Sequence, residues 1–276
     1  MRTLSREAVE RLGSPLAIRV DFHEEIVSTQ RRARQLAREG APHGMLVISK
    51  VQKGGRGRLE RSWVSPSGGI WMSLVLRPKL PSHLTPRITQ AAAVGVATAL
   101  WSLGVEARIK WPNDLLVAKP DEDMGRKICG ILAETGTTNL SAKRLGTGDD
   151  NRVDFVVLGI GLNANLDPED LNVPDREVAT LRSELGRDVD LIELLGTLLS
   201  GLDVELGRIE DFGAVLDDWR ALDCTLGKLV RVERFGEVLV GRAADLTPEG
   251  ALLLETPEGT VKLFEGEVEH LRQEGT

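Results

Sequence analysis

Gln52-Lys53-Gly54-Gly55-Arg56-Gly57-Arg58-Leu59-Glu60-Arg61-Ser62-Trp63 is the stretch on which the reading of this chain turns. It lies between two apolar runs, Met45 to Lys50 and Gly69 to Arg77, that read as strands. From Val51 to Ser62 neither the helical nor the strand period is present, so a loop is expected there. Lys50, Lys53, Arg56, Arg58 and Arg61 face one anion, Glu60. Glycines let backbone amides approach a ligand closely, and arginines present forked donors that suit phosphate or carboxylate. Composition alone is equally compatible with a solvated loop. An Arg/Gly tract for nucleic acid would normally repeat, and this one occurs once. No Gly-Lys-Ser/Thr follows, so the stretch is not a phosphate-binding P-loop.

Upstream, residues 1–16 have the makings of one short helix. Asp21 to Val27 reads as a strand, and Ser28-Thr29 are N-cap types before a helix from Arg31 to Arg38, stopped by Gly40. Downstream, Pro78 to Pro81 break the second strand. Thr89 to Leu103 is an Ala-rich helix ended by Gly104, and Val105 to Trp111 is a strand cut by Pro112. Ile128 to Glu134 and Val153 to Ile160 are apolar strands flanking a polar hairpin-type excursion, Gly136 to Arg152. Asp190 to Ile209 and Phe212 to Leu222 form two amphipathic helices. After Leu226 the texture changes to short runs of period two separated by Gly236, Pro248-Glu249-Gly250 and Pro257-Glu258-Gly259, the mark of a small all-β unit. The expected organisation is an α/β mixed domain, residues 1–222, and a small β domain, residues 223–276.

The 276 residues include 41% apolar and 28% charged side chains, an ordinary globular balance. The 35 basic and 42 acidic residues leave a net charge of −7, unfavourable for non-specific nucleic-acid binding over the whole surface. Two distant cysteines, Cys129 and Cys224, make neither a disulfide framework nor a zinc spacing, which suits a reducing compartment. Residues 1–20 lack the apolar run of a signal peptide, and no run reaches the about 18 apolar residues of a membrane span. The chain is expected to be cytoplasmic, with no membrane partner.

Three further segments carry chemistry. Lys110-Trp111-Pro112-Asn113-Asp114 closes a strand, where α/β folds place site residues, although Asn-Asp turn chemistry explains it equally well. Lys127 opens the strand Arg126-Lys127-Ile128-Cys129-Gly130-Ile131-Leu132-Ala133-Glu134; by itself it would be a surface charge, and Cys129 a small buried residue. Gly159-Ile160-Gly161-Leu162-Asn163 puts glycines on a strand, as for a flat ligand or a neighbouring backbone.

The order of these motifs, Ser-Thr, Gln-x-x-Gly-Arg-Gly-Arg-x-x-Arg-x-Trp, Lys-Trp-Pro-Asn-Asp, Lys-x-x-Gly-Ile-Leu-x-Glu and Gly-x-Gly-x-Asn followed by a small β domain, closely resembles the biotin protein ligases over residues 20–276. The resemblance implies an α+β fold. A mixed-sheet catalytic domain of the class II synthetase/biotin ligase type would precede an SH3-like β-barrel. It implies activation of biotin by ATP with Mg²⁺ and transfer to a lysine of a biotin carboxyl carrier domain. By similarity, Arg56, Arg58, Lys110 and Lys127 would be catalytic. Ser28, Thr29, Gln30, Gln52, Gly55, Arg56, Gly57, Arg58, Trp63, Lys127, Gly130, Gly159 and Gly161 would bind biotin. Arg58, Arg61, Lys110, Asn113, Asp114, Lys127 and Asn163 would bind ATP, with Asn163 toward the adenine. No metal-ligand set is assigned to the protein itself, and no general base is identified beyond Asp114 as a candidate.

Two positions depart from the family pattern: Gln30, where Asn is usual, and Glu60, where a third loop glycine is common. Only residues 1–20 precede the first catalytic strand, so no winged-helix DNA-binding domain and no nucleic-acid partner are expected. Family members occur as monomers and homodimers. The rival readings are a lipoate or octanoyl ligase, whose substrate lacks the ureido ring that Ser28 and Gln52 would meet, and a nucleic-acid module built on the Arg/Gly loop.

Overall fold

The computed structural model describes residues 4–59, 61–118, 125–136, 153–171, 173 and 177–271. The elements in chain order are α1 (Arg6–Glu10), β1 (Arg19–Ile26), α2 (Thr29–Arg38), β2 (Met45–Arg56), β3 (Ser62–Ser65), β4 (Ile70–Leu76), α3 (Pro86–Ser102), β5 (Arg108–Lys110), β6 (Asp114–Val117), β7 (Arg126–Gly136) and β8 (Phe155–Leu162). They continue with α4 (Leu181–Leu185), α5 (Leu191–Gly207), α6 (Phe212–Leu222), β9 (Leu229–Arg234), β10 (Glu237–Leu246), β11 (Leu252–Thr256), β12 (Gly259–Leu263) and β13 (Glu267–His270).

The first sheet has the order β1-β2-β4-β8-β7-β6-β5, with β3 folded onto β2. Only β1 and β2 run parallel. All seven residues of β4 are buried, so the strand reads as one apolar run rather than an alternating one. Two layers cause this. One face of the sheet (Leu46, Ile48, Met72, Leu74, Leu158, Ile160) packs in the main core with residues of α3, α5 and α6. On the other face Val47, Val75, Phe155 and Val157 pack against Ala33 and Ala37 of α2. Small alanines let that helix lie close to the strands. Ser28 caps α2 by accepting from the Arg31 N–H at 3.4 Å.

Two expectations are corrected. Residues 51–62 are not one loop. β2 continues to Arg56 and pairs with β3 through Gln52–Ser65, Gly55–Trp63 and Arg56–Ser62, so most of the stretch is strand. The strand period is hidden because the register shifts between Gln52 and Gly55, and a bulge breaks alternation. Gly55 is required there, since a Cβ would lie 2.3 Å from the Trp63 carbonyl oxygen. The small β domain is an open antiparallel sheet, β12-β11-β10-β9-β13, rather than a closed barrel. Its outer strand β13 is turned toward the first domain: Gly266, just before it, accepts from Arg58 and packs near Trp111. Residues 137–152 of the expected excursion, and Glu60, lie outside the described residues.

The two domains are bonded together. The Gln90 side chain, buried on α3, donates to the Gly250 carbonyl at 2.6 Å, and Arg220 of α6 pairs with Asp245 at 2.8 Å. The Trp111 N–H donates to Thr225 Oγ1 at 3.0 Å. Among the described residues no helix is long and apolar enough to cross a membrane.

Two tests of this packing follow from it. Phe155→Ala empties the layer between α2 and the sheet and should lower the unfolding free energy by about 3–5 kcal/mol in urea titrations; a loss below about 1 kcal/mol would show that α2 does not rest on this ring. His270, on β13, is held neutral: burial first, then Lys110 and Lys228, push its pKa down from 6.5 to about 4. The unfolded chain protonates His270 at its ordinary pKa. Stability is therefore full above pH 6.5 and declines as pH falls toward 4. His270→Gln should flatten this decline in thermal melts; identical pH profiles for the two proteins would contradict the assignment.

Candidate functional site

The face of the sheet that carries Val47, Val75 and Val157 changes character beyond the first turn of α2. The next positions in the same register are Ser73 on β4 and Gly159 and Gly161 on β8, joined across the ladder by Gly130 on β7. Losing these side chains leaves a hollow in the sheet face, and Trp63 and Gln30 pack into it. The hairpin β2–β3 closes one side of it. Trp63, from β3, lies over the glycines: a Cβ on Gly161 would come 2.6 Å from Trp63 Nε1, and one on Gly130 2.9 Å from Trp63 Cζ3. Trp63 also meets Trp71 edge to face, with centroids 6.5 Å apart.

One end of the hollow is polar and uncharged. Gln52 Oε1 accepts from the Thr29 N–H at 2.8 Å and from Thr29 Oγ1 at 3.0 Å, while its Nε2 donates to Ser65 Oγ at 3.0 Å. Thr29 Oγ1 and Ser73 Oγ are 2.9 Å apart, and Ser73 Oγ donates to Gln30 Oε1 at 3.0 Å. Gln30 lies beneath, donating to the Val157 carbonyl and to Glu134 Oε2, both at 3.1 Å. A Cβ at Gly159 would come 2.5 Å from Gln30 Oε1, so the longer side chain of Gln30 fills the space beside this glycine.

The other end is cationic. Lys127 Nζ lies 2.6 Å from Asp114 Oδ1 and 4.9 Å from the centre of the Trp63 ring. Asn113 Nδ2 donates to Asp114 Oδ1 at 3.1 Å, and Arg58 Nη1 donates to Asn113 Oδ1 at 3.0 Å and to the Gly266 carbonyl at 3.3 Å. Arg61 pairs with Glu267 of the small domain. Burial lowers the pKa of Lys110, opposed chiefly by the Asp114 carboxylate. Burial likewise lowers that of Arg58, again opposed by Asp114. Both groups are desolvated cations held by one carboxylate, so an incoming anion meets a strong, poorly screened attraction.

The expected residues are thus brought together as a chain of contacts: Arg58 to Asn113, Asp114, Lys127 and Trp63, then through Ser65 to Gln52 and Thr29. Three stand apart. Arg56 lines a cleft beside α2 with Ser28 and Gly54. Gly57 closes the hairpin turn by donating to the Arg61 carbonyl at 2.7 Å. Asn163 is 2% exposed, and its amide nitrogen donates to the Ala179 carbonyl at 3.1 Å. Sequence reasoning passed over Ser65, Ser73 and Glu267. A serine inside the otherwise apolar β4 was a usable signal for Ser73; the other two depend on the hairpin register and on domain docking. Neither cysteine is a nucleophile by environment: burial pushes the Cys129 thiol far up and that of Cys224 up to about 12.

Residues 23–145 match the biotin/lipoate A/B protein ligase family, and residues 225–271 match the biotin protein ligase C-terminal domain. The chain is 33% identical over 253 residues to the bifunctional ligase/repressor BirA of Bacillus subtilis, covering 90% of this chain and 73% of that protein. It is 32% identical to the biotin–[acetyl-CoA-carboxylase] ligase of Mycobacterium tuberculosis, covering 83% of this chain and 80% of that one. Among solved structures, the biotin protein ligase of Aquifex aeolicus in complex with biotin and ATP superposes with a TM-score of 0.72 at 25% identity, covering 92% of this chain and 99% of that one. With its mixed-sheet hollow, its Arg/Gly hairpin and its small β domain, this chain belongs to the biotin protein ligase family.

Proposed function

We propose that the protein is an ATP-dependent biotin–carrier ligase. The carboxylate oxygen of biotin attacks the α-phosphorus of ATP, forming biotinoyl-5'-AMP and releasing pyrophosphate. The amine of an acceptor lysine on a biotin carboxyl carrier domain then attacks the acyl carbon. The amide forms, the lysine gives up a proton, and AMP leaves. The observation that carries this reading is the continuous run of contacts from the neutral Thr29–Gln52 end to the Arg58–Lys127 end. A neutral bicyclic head group and a charged carboxylate separated by an aliphatic chain need those two environments in that order.

Each residue then has a role. Thr29, Ser28 and Gln52 offer donors and acceptors to the ureido ring, with Gln30 bracing them from below. Gly159, Gly161 and Gly130 leave a flat floor, and Trp63 with Gly55 walls the ring and chain. Arg58 and Lys127 hold the carboxylate and afterwards the adenylate phosphate. They reduce the repulsion between two anions and stabilise charge on the phosphoryl group. Lys110, Arg61, Asn113 and Asp114 serve the triphosphate. Asn163 supports the nucleotide end by tying residues near Ala179 to the backbone of Lys127.

Among the described residues no cluster of three metal-ligating side chains exists. Mg²⁺ suits this site as a companion of the triphosphate, a hard cation that takes one or two carboxylates plus phosphate oxygens, with Asp114 the carboxylate at hand. It would neutralise triphosphate charge. We place the domain boundary between Leu222 and Asp223, where α6 ends.

Incubation with biotin and ATP, followed by mass spectrometry, should yield biotinoyl-AMP; adenylation of lipoate in its place would overturn the substrate assignment. Lys127→Ala should reduce biotin-dependent ATP–pyrophosphate exchange by about 100-fold or more with the melting transition little changed; full exchange by the folded variant would remove Lys127 from the reaction. Arg58→Ala should release the adenylate faster in rapid-filtration assays, and equal retention by both proteins would dismiss Arg58 as its holder.

A further inference from the structure

The neutral end of the hollow is short of protons. Four side-chain oxygens stand in a row: Gln52 Oε1 to Thr29 Oγ1 at 3.0 Å, Thr29 Oγ1 to Ser73 Oγ at 2.9 Å, and Ser73 Oγ to Gln30 Oε1 at 3.0 Å. Both ends of the row are fixed as acceptors. Gln52 Oε1 takes the Thr29 backbone N–H at 2.8 Å, and a backbone nitrogen can only donate. At the other end the Gln30 amide nitrogen donates to the Val157 carbonyl and to Glu134 Oε2, both at 3.1 Å. Turning that amide over would set its oxygen against two acceptors, so the oxygen faces Ser73. Only the hydroxyls of Thr29 and Ser73 bring protons to the three contacts of the row, and each brings one. One contact is therefore an oxygen pair with no hydrogen between its members. Among the described residues no other group donates to Thr29 Oγ1, Ser73 Oγ or Gln30 Oε1. Thr29, Ser73 and Gln30 are buried and Gln52 is half-buried, so the row opens at its Gln52 end.

We infer that Glu134, Gln30 and Ser73 are positioning residues that set the polarity of this end, so that it selects a head group offering an N–H. The inference rests on the ligase reading and deepens it, by naming what decides the substrate class. A ligand N–H given to Gln52 Oε1 releases the Thr29 proton for Ser73, while Ser73 keeps its own for Gln30. Every contact in the row is then a complete hydrogen bond. An ether or carbonyl oxygen in the same place would add a lone pair to a row already lacking a proton, and a buried acceptor without a donor is costly. The ureido nitrogens of biotin meet the requirement, and the dithiolane ring of lipoate does not. Glu134 acts from the closed end of the row, where its carboxylate holds the Gln30 amide and lies 3.6 Å from Arg34.

The test offers the full-length enzyme biotin and its two cyclic carbamates, in each of which oxygen replaces one ureido N–H, and follows pyrophosphate exchange. Wild type should disfavour at least one carbamate by about 100-fold or more in KM. Gln30→Met removes one acceptor and leaves two contacts for two protons, and Ser73→Ala leaves one contact for one proton. Each should narrow the preference for biotin over that carbamate by about tenfold or more, through KM and with kcat near the wild-type value. A role confined to packing would weaken biotin and carbamate alike. An unchanged preference in either folded variant would thus overturn the inference. Equal use of biotin and both carbamates by wild type would overturn it without recourse to a variant. Absence of biotin-dependent exchange in wild type would instead remove the ligase reading, and this inference with it.

Discussion

The site depends on a change in side-chain size along one face of the central sheet. Under α2 that face is filled by Val47, Val75, Phe155 and Val157; one step beyond, it carries Ser73, Gly159, Gly161 and Gly130. Glycines inside strands weaken a sheet, because they lose more backbone entropy and bring no side chain to pack. Here they are tolerated because β4 and β8 are central, and their other face is locked into the core with α3 and α5. The helix that caps the valines ends where the glycines begin. Its Ser28 and Thr29 therefore reach the rim, and the space that the glycines leave is taken up by Trp63 and Gln30.

Charge is organised around one carboxylate. Asp114 holds Lys127 directly and Arg58 through Asn113. This keeps cations from three separate elements at one end of the hollow although burial disfavours their charged forms. The small domain contributes the Gly266 carbonyl and Glu267, which hold Arg58 and Arg61 of the hairpin turn. The turn is thereby tied to both domains, and an anionic ligand that draws Arg58 or Arg61 inward competes with contacts across the domain interface.

Much of this was legible before any coordinates. The spacing of Ser28-Thr29, the Arg/Gly stretch, Lys110 to Asp114, Lys127 and Gly159 to Asn163 pointed to one candidate site, because each is a short-range pattern that a backbone turn or a strand end imposes locally. Helices α2 and α3 were legible for the same reason, as Gly40 and Gly104 mark their ends. The hairpin was not, since a bulge after Gln52 destroys the alternation that reveals a strand. β6 was missed because four residues are too few to show a period. The openness of the β domain was also hidden, because strand pairing order at its edges is a long-range property.

The sequence by itself determined the inventory: which residues carry charge, where the chain must turn, which stretches are apolar on both sides, and which positions are too small to fill a core. Tertiary structure alone decided the pairings. That Asp114 would hold Lys127, that Gln30 would lie beneath Ser73, that Glu267 would reach Arg61 and that Asn163 would spend its amide inside the protein all depend on strand register and domain docking. Register and docking arise from the summed burial of distant side chains, and no local stretch of sequence carries that sum.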